Sequence, residues 1–263
     1  MKAWKRIHIT KKRAVCGVLG LLLLAAAYMG VPRAAEKVFA VAEGERRLPI
    51  YCVQTDKPQV SVSFDAAWGA DDTDELLRIL KENDVKATFF LCGYWVEKYP
   101  EEVKKIAAEG HDLGNHSATH PHMSRISSEE ITQELQKCHE NVKKLTGVEM
   151  ELFRPPFGEY DNHVIETAEQ NGYYTIQWDV DSLDWKEQGA EAEIRQVLEH
   201  KHLGNGSIIL FHNDAKYTPK VLDTILKGIK EKGFEIVPIS QLIHRENFEM
   251  DHEGRQILKG KEA

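Results

Sequence analysis

Two histidines, His116 and His120, stand four residues apart in the stretch His-Ser-Ala-Thr-His. That spacing lets both imidazoles share one side of a single helical turn and bind one metal ion, with Pro121 ending the turn. Two histidine ligands leave several positions on a zinc-like ion for water and substrate, as hydrolysis needs. Groups able to move protons flank the pair. Asp65 ends Ser-Phe-Asp, Arg154 opens Arg-Pro-Pro-Phe-Gly, Asp184 stands in Asp-Ser-Leu-Asp-Trp, and His212 closes Leu-Phe-His. A carboxylate can act as a base on water, an arginine fork can fix that carboxylate, and a histidine with a pKa of about 6.5 can protonate a leaving amine. Read singly, each has an ordinary structural meaning: a strand-end aspartate capping a turn, a Pro-Pro bend, a satisfied histidine at the tip of a core strand. Together, in this order, they describe one hydrolytic site. His111 and His122 belong to no motif and read as solvated histidines.

The five segments, in this order and wording, resemble the polysaccharide deacetylase family, the NodB-homology or carbohydrate esterase family 4 group, from about Val60 to about Leu242. The resemblance implies removal of acetyl groups from N-acetylated sugars with a divalent metal, zinc by ligand type. It makes His116 and His120 the metal ligands and Asp65 the general base, oriented by Arg154. It gives the Phe157 N–H the oxyanion role, His212 the role of general acid, and Asp184 the task of raising the pKa of His212. Trp185 and Leu210 would flank the acetyl methyl as the substrate pocket, and Asp181 would add a supporting hydrogen bond.

One position departs from the pattern. The family typically carries a second aspartate directly after the base, as third metal ligand, and this chain has Ala66. Three readings stay open: a two-histidine site completed by water, a substitute carboxylate from Asp71 or Asp72 brought back by Gly69, or a site without metal. Asp72 also reads as a helix N-cap. The variant Phe-Asp-x-x-Trp-Gly itself resembles a branch of the family associated with spore formation in Gram-positive bacteria.

Elements that could position these residues alternate along the chain. Val60 to Phe64 alternates with period two, and Asp74 to Glu82 is amphipathic with helical spacing. Ala87 to Leu91 reads as a strand, Tyr99-Pro100 opens a helix through Ala108, and Asp112 to His116 is a strand bearing the histidine motif. Ser127 to Glu130 is a capping-box start for a helix to about Leu145. Asn162 to Asn171 is helical, Tyr173 to Val180 a strand, Ala190 to His200 a helix, Gly206 to Phe211 a strand, Pro219 to Lys232 a helix and Phe234 to Ile239 a last strand. This alternation predicts an α/β fold with a parallel sheet, and every motif falls just after a strand, where parallel barrels place their active sites. The resemblance sharpens the expectation to a distorted, incomplete (β/α) barrel.

The 263 residues, 42% apolar and 29% charged, suit one large soluble domain with short terminal segments. A net charge of -8 and the lack of a Gly-rich phosphate loop argue against nucleic acid and nucleotides as partners. The N-terminus differs from the rest. Six Lys or Arg residues precede an uncharged run of 18 residues, Ala14 to Val31, which Pro32 and Arg33 stop. That pattern favours an uncleaved signal-anchor over a cleaved signal, with Glu36 onward outside the cytoplasm. The expected organisation is a leader over 1–35, a connector over 36–58, the catalytic domain over 59–245 and a poorly ordered polar tail over 246–263. Cys52, Cys92 and Cys138 lack Cys-x-x-Cys spacing and read as isolated buried thiols. The expectation is a monomeric deacetylase at the cell membrane, acting on an N-acetylated cell-wall glycan. Two alternatives accompany it: a catalytically impaired glycan-binding protein of the wall, or a hydrolase of another amide or O-acetyl ester.

Overall fold

Strand β2, Gln59–Ala66, shows how the sequence pattern becomes a layer. Val60, Val62, Phe64 and Ala66 alternate with Ser61, Ser63 and Asp65, the two-residue period that sends neighbouring side chains to opposite faces. Both sets are buried, as expected of a parallel strand covered on each side. Phe64 stacks between Phe89 and Phe211, with ring centroids 4.9 and 5.6 Å away. On the other face the serine hydroxyls are satisfied: Ser61 Oγ donates to the Val237 carbonyl at 2.7 Å and Ser63 Oγ to that of Ile209 at 2.8 Å.

The computed structural model describes residues 46–260, and the expected membrane span at 14–31 lies outside them. Among the described residues no helix is long and apolar enough to cross a membrane. The other strands are β1 Cys52–Val53, β3 Thr88–Leu91, β4 Asp112–Asn115, β5 Leu152–Phe153, β6 Tyr174–Thr175, β7 Val180–Asp181, β8 Ile208–His212, β9 Glu235–Ile236, β10 Phe248–Met250 and β11 Arg255–Leu258. The helices are α1 Thr73–Glu82, α2 Gly93–Lys98, α3 Pro100–Ala108, α4 Ser128–Thr146, α5 Asn162–Gln170, α6 Ala190–Leu198, α7 Thr218–Glu231 and the short α8 Ile239–Leu242. Helix α4 opens with the expected capping box, Ser127 and Glu130 satisfying each other's backbone N–H.

The main sheet runs β6-β5-β4-β3-β2-β8-β7, with β9 also pairing to β2, and every pair in it is parallel. The strand expected over Tyr173 to Val180 is instead two short strands at opposite edges of that order. Five residue steps from Thr175 to Val180 reach at most about 18 Å, so the sheet has to curl until its edges nearly meet. Ile50 bridges to Ile176 within that connection, and Gln177 N–H donates to the Ile50 carbonyl at 2.8 Å. The result is an incomplete α/β barrel.

Two expected boundaries move. The segment from Arg47 belongs to the same compact unit as the barrel, so the connector ends earlier than 58. Residues 246–258 are no loose tail either: β10 and β11 pair antiparallel, and β11 pairs in parallel with β1. Gln256, fully buried, ties this sheet to the chain before it by accepting from His244 N–H and donating to the His244 carbonyl, both at 2.7 Å. The short run Gln256-Ile257-Leu258 was masked by its polar neighbours. Cys52, Cys92 and Cys138 are buried free thiols.

Candidate active site

The register of β2 against β8 puts Asp65 directly beside His212. Arg154, completely buried just after β5, donates through Nη1 to Asp65 Oδ1 at 2.7 Å and through Nη2 to Ser63 Oγ at 2.9 Å. Its guanidinium carbon lies 4.1 Å from the centre of the Phe90 ring. Glycine at 114 makes room for that ring, since a Cβ there would stand 2.5 Å from it. Burial alone would raise the Asp65 pKa, but the charge and hydrogen bond of Arg154, with His212 beyond, outweigh it and hold the carboxyl below its ordinary value. Asp65 is therefore an ionised, fixed carboxylate at neutral pH.

Asp184 holds the second acid–base group. Its Oδ2 accepts from the His212 backbone N–H at 2.6 Å and its Oδ1 lies 2.8 Å from His212 Nδ1. The carboxylate can only accept, so Nδ1 carries the proton and Nε2 is left for the cavity. Burial opposes the charged imidazole, yet the Asp184 hydrogen bond and charge, with Asp65 and Asp181 beyond, raise the His212 pKa above its ordinary value. Asp181 accepts from Leu183 N–H at 2.8 Å, which shapes the loop carrying Asp184.

The histidine pair meets by a different route from the helical turn expected. Residues 116–120 form an irregular turn in which Ser117 and His120 take left-handed φ values of 67° and 58°. Ser117 Oγ accepts from His120 N–H at 2.9 Å, and the two rings stand 4.9 Å apart. His116 Nδ1 lies 2.7 Å from the Arg154 carbonyl oxygen, which again assigns the proton to Nδ1. Its Nε2 is free for a metal and stands 3.6 Å from Asp65 Oδ2. Burial lowers the pKa of both histidines, that of His120 to about 4, so both are the neutral imidazoles that metal binding requires. The donor set thus suits a divalent ion. Among the described residues, the one group of three potential metal-binding side chains is Cys92, His116 and His120, whose ligand atoms lie within 4.8 Å of one another.

Asp71 and Asp72 do not join that group. Asp71 is exposed, and Asp72 Oδ2 accepts from the backbone N–H of Asp214 at 2.7 Å. Asp72 occupies the expected N-cap position of α1 but makes no side-chain cap bond, its carboxylate instead pinning the 213–214 loop. The space at Gly69 is taken by the same loop, for a Cβ there would overlap the Asp214 carboxylate at 2.1 Å.

Asp65, His116, His120, Phe157, Trp185, Leu210 and His212 all line one cavity of about 390 Å³. Phe157 has a left-handed φ of 60°, unusual for a bulky residue, and such strain collects at functional sites. The cavity also contains Trp68 and Trp178, which carried no role in the sequence reading. Trp68 stacks on His212 at 5.0 Å with the planes 11° apart; its place in Phe-Asp-x-x-Trp-Gly was the available signal. His122 is not merely solvated, since its ring stacks on Phe157 at 4.5 Å. His111 is buried and its Nδ1 accepts from Ala87 N–H at 3.1 Å. A second cavity of the same volume, bordered by Leu48, Ile165, Tyr174 and Phe248, contains no paired acid and histidine.

Residues 53–176 match the family model described as polysaccharide deacetylase. The peptidoglycan-N-acetylglucosamine deacetylase of Bacillus cereus is 34% identical over 191 residues, which cover 71% of this chain and 69% of that protein. This chain belongs to the polysaccharide deacetylase family. The uncharacterized protein YlxY of Bacillus subtilis is 36% identical over 195 residues, 74% of this chain but only 60% of YlxY's length. Among solved structures, BA3943, described as a CE4 family pseudoenzyme from Bacillus anthracis, is 36% identical with a TM-score of 0.70, covering 74% of this chain and 68% of that one. A mutant of BA3943 is described as having restored enzymatic activity. The curled parallel sheet is accordingly the NodB-type distorted half-barrel of this family.

Proposed function

We propose that the protein is a metal-dependent deacetylase of an N-acetylated cell-wall glycan, of the peptidoglycan or chitin type. The observation that carries this reading is the pair of dyads, Asp65–Arg154 and Asp184–His212, whose members Asp65 and His212 stand side by side on β2 and β8 at the edge of one cavity. Mere binding needs no buried base beside a histidine of raised pKa. A divalent ion, when bound at His116 and His120, supplies Lewis acidity toward the acetamide carbonyl and the attacking water. Asp65 takes a proton from that water while Arg154 keeps the carboxylate aimed. The Phe157 N–H donates to the carbonyl oxygen as negative charge develops on it. His212 gives a proton from Nε2 to the departing amine nitrogen, and Asp184 stabilises the imidazolium. Leu210 and Trp185 border the room for an acetyl methyl, and the half-exposed faces of Trp68 and Trp185 offer sugar-stacking surfaces.

The peptidoglycan deacetylase activity for which the Bacillus cereus relative is named, together with the basic leader and uncharged run, supports a wall glycan met outside the cytoplasm. Protease added to intact protoplasts should then digest the domain; full protection would refute that placement. A second reading, a catalytically impaired glycan binder, is favoured by Ala66 and by the similarity to a pseudoenzyme. Acetate released from N-acetylglucosamine oligomers or peptidoglycan by the zinc-loaded protein separates the two. Release supports the deacetylase, and glycan binding without release supports the binder.

A further inference from the structure

Ala66 has no donor atom, Asp71 is exposed and Asp72 Oδ2 is engaged by the Asp214 N–H, yet a third metal-binding side chain stands beside the histidines. Cys92 directly follows β3, one residue beyond the Leu91 that pairs with Ala66, and its N–H donates to the Ala66 carbonyl at 3.1 Å. Its side chain is fully buried, and Sγ lies within 4.8 Å of a ring nitrogen of both His116 and His120. Sγ donates weakly to the His116 carbonyl at 3.4 Å and also meets the Tyr94 hydroxyl, which itself donates to the Ala67 carbonyl at 2.7 Å.

The backbone holds this thiol and the histidine turn together. Gly93 N–H donates to the Ser117 carbonyl at 2.9 Å and Tyr94 N–H to that of Ala118 at 3.0 Å. The approach is so close that a Cβ on Gly93 would stand 2.8 Å from Ala118 Cα. Cys92 and the segment between the two histidines are therefore stapled by main-chain bonds that no side-chain movement undoes. A donor fixed in this way loses little entropy when an ion binds.

We propose that Cys92 is the third protein ligand of the metal held at His116 and His120. The proposal rests on the reading of that pair as metal ligands. On binding, the S–H bond breaks, the Sγ–metal bond forms and the proton leaves to water; no electron is transferred. A thiolate beside two imidazoles selects zinc or another borderline ion over magnesium and calcium, which prefer oxygen. Three protein ligands also leave an open position, as in catalytic zinc sites.

Cobalt(II) reports on the ligands directly, because thiolate coordination adds an intense near-ultraviolet charge-transfer band to the visible bands that any cobalt site shows. The full chain, titrated with cobalt, should develop both. Cys138→Ser is the control, since Cys138 is also buried but donates to the Leu91 carbonyl at 3.1 Å and lies outside the group. It should keep both bands. Cys92→Ser should lose the near-ultraviolet band and bind cobalt at least about 100-fold more weakly, since even residues one shell removed from a metal change affinity by 10–100-fold. Visible bands without the charge-transfer band in the wild type would overturn the Cys92 assignment alone, and acetate release by the same sample would leave the deacetylase reading standing. A Cys92→Ser variant that keeps the charge-transfer band would overturn it as well. Failure of the wild type to take up any cobalt would overturn both the assignment and the metal reading on which it rests.

Discussion

The two halves of the cavity are built in different ways. On the acid–base side, Asp65 and His212 sit at the ends of neighbouring parallel strands, and each has a buried partner fixed by hydrogen bonds of 2.6–2.8 Å. On the metal side, the histidines come from an irregular turn with two left-handed residues, and the donor next to them is a thiol one strand over from Ala66. The first half is dictated by sheet register, which a single substitution does not move. The second depends on local donors and can change one ligand at a time. A chain of this family can therefore keep its whole proton machinery while its metal corner varies.

The separation is testable. The largest effect should come from Asp65→Asn, which removes the base: kcat for acetate release should fall by about 10²–10⁴-fold. Metal affinity in the same variant should stay close to wild type, and a parallel loss of metal would show that the halves are not independent. Next comes Arg154→Ala. It leaves the buried Asp65 charge unpaired and should cost about 3–5 kcal/mol in urea unfolding, far more than a surface pair would.

A smaller shift is expected from Asp184→Asn. His212 must be protonated to act as the acid, and Asp184 raises its pKa, so activity in the wild type persists to a pH above the ordinary histidine range. Without that carboxylate the alkaline limb of the kcat profile should move to lower pH; an unmoved limb would assign the general acid elsewhere.

The smallest effect belongs to Asp72, on neither half. Burial pushes its pKa up to about 6, so ionising it costs the folded state more than the unfolded one. Wild-type stability should decline, relative to Asp72→Asn, as pH rises from about 4 to about 6. The amide oxygen can still accept from Asp214 N–H, so metal affinity should be unchanged. Urea midpoints at pH 4 and pH 7 would show it, and a constant difference would remove the assignment.

The same contrast explains what could be read from the sequence. Strand and helix positions near the motifs were legible because β2 alternates cleanly and α4 has its capping box. Asp65 and His212 were legible because each lies at the end of an apolar strand, Arg154 because it directly precedes a proline pair, and Asp184 through its Asp-Trp motif. The metal corner was not, since Cys92 lies 24 residues from His116 and meets it only through the pairing of β3 with β4 and the staples beyond. The N-cap position of Asp72 was legible from the helix that follows it, but its bond to Asp214, 142 residues away, left no local signal. The β1, β10 and β11 sheet escaped notice because strands of two to four residues with polar neighbours leave no periodic signal.

The complete acid–base half should work with the metal corner as this chain has it. Acetate release from an N-acetylglucosamine oligomer, by zinc-loaded wild type, Asp65→Asn and Ala66→Asp side by side, tests it most directly. Release by the wild type, loss in Asp65→Asn and no requirement for a carboxylate at position 66 are expected. A silent wild type beside an active Ala66→Asp variant would contradict this, and would show that the proton machinery is intact but idle for want of a ligand.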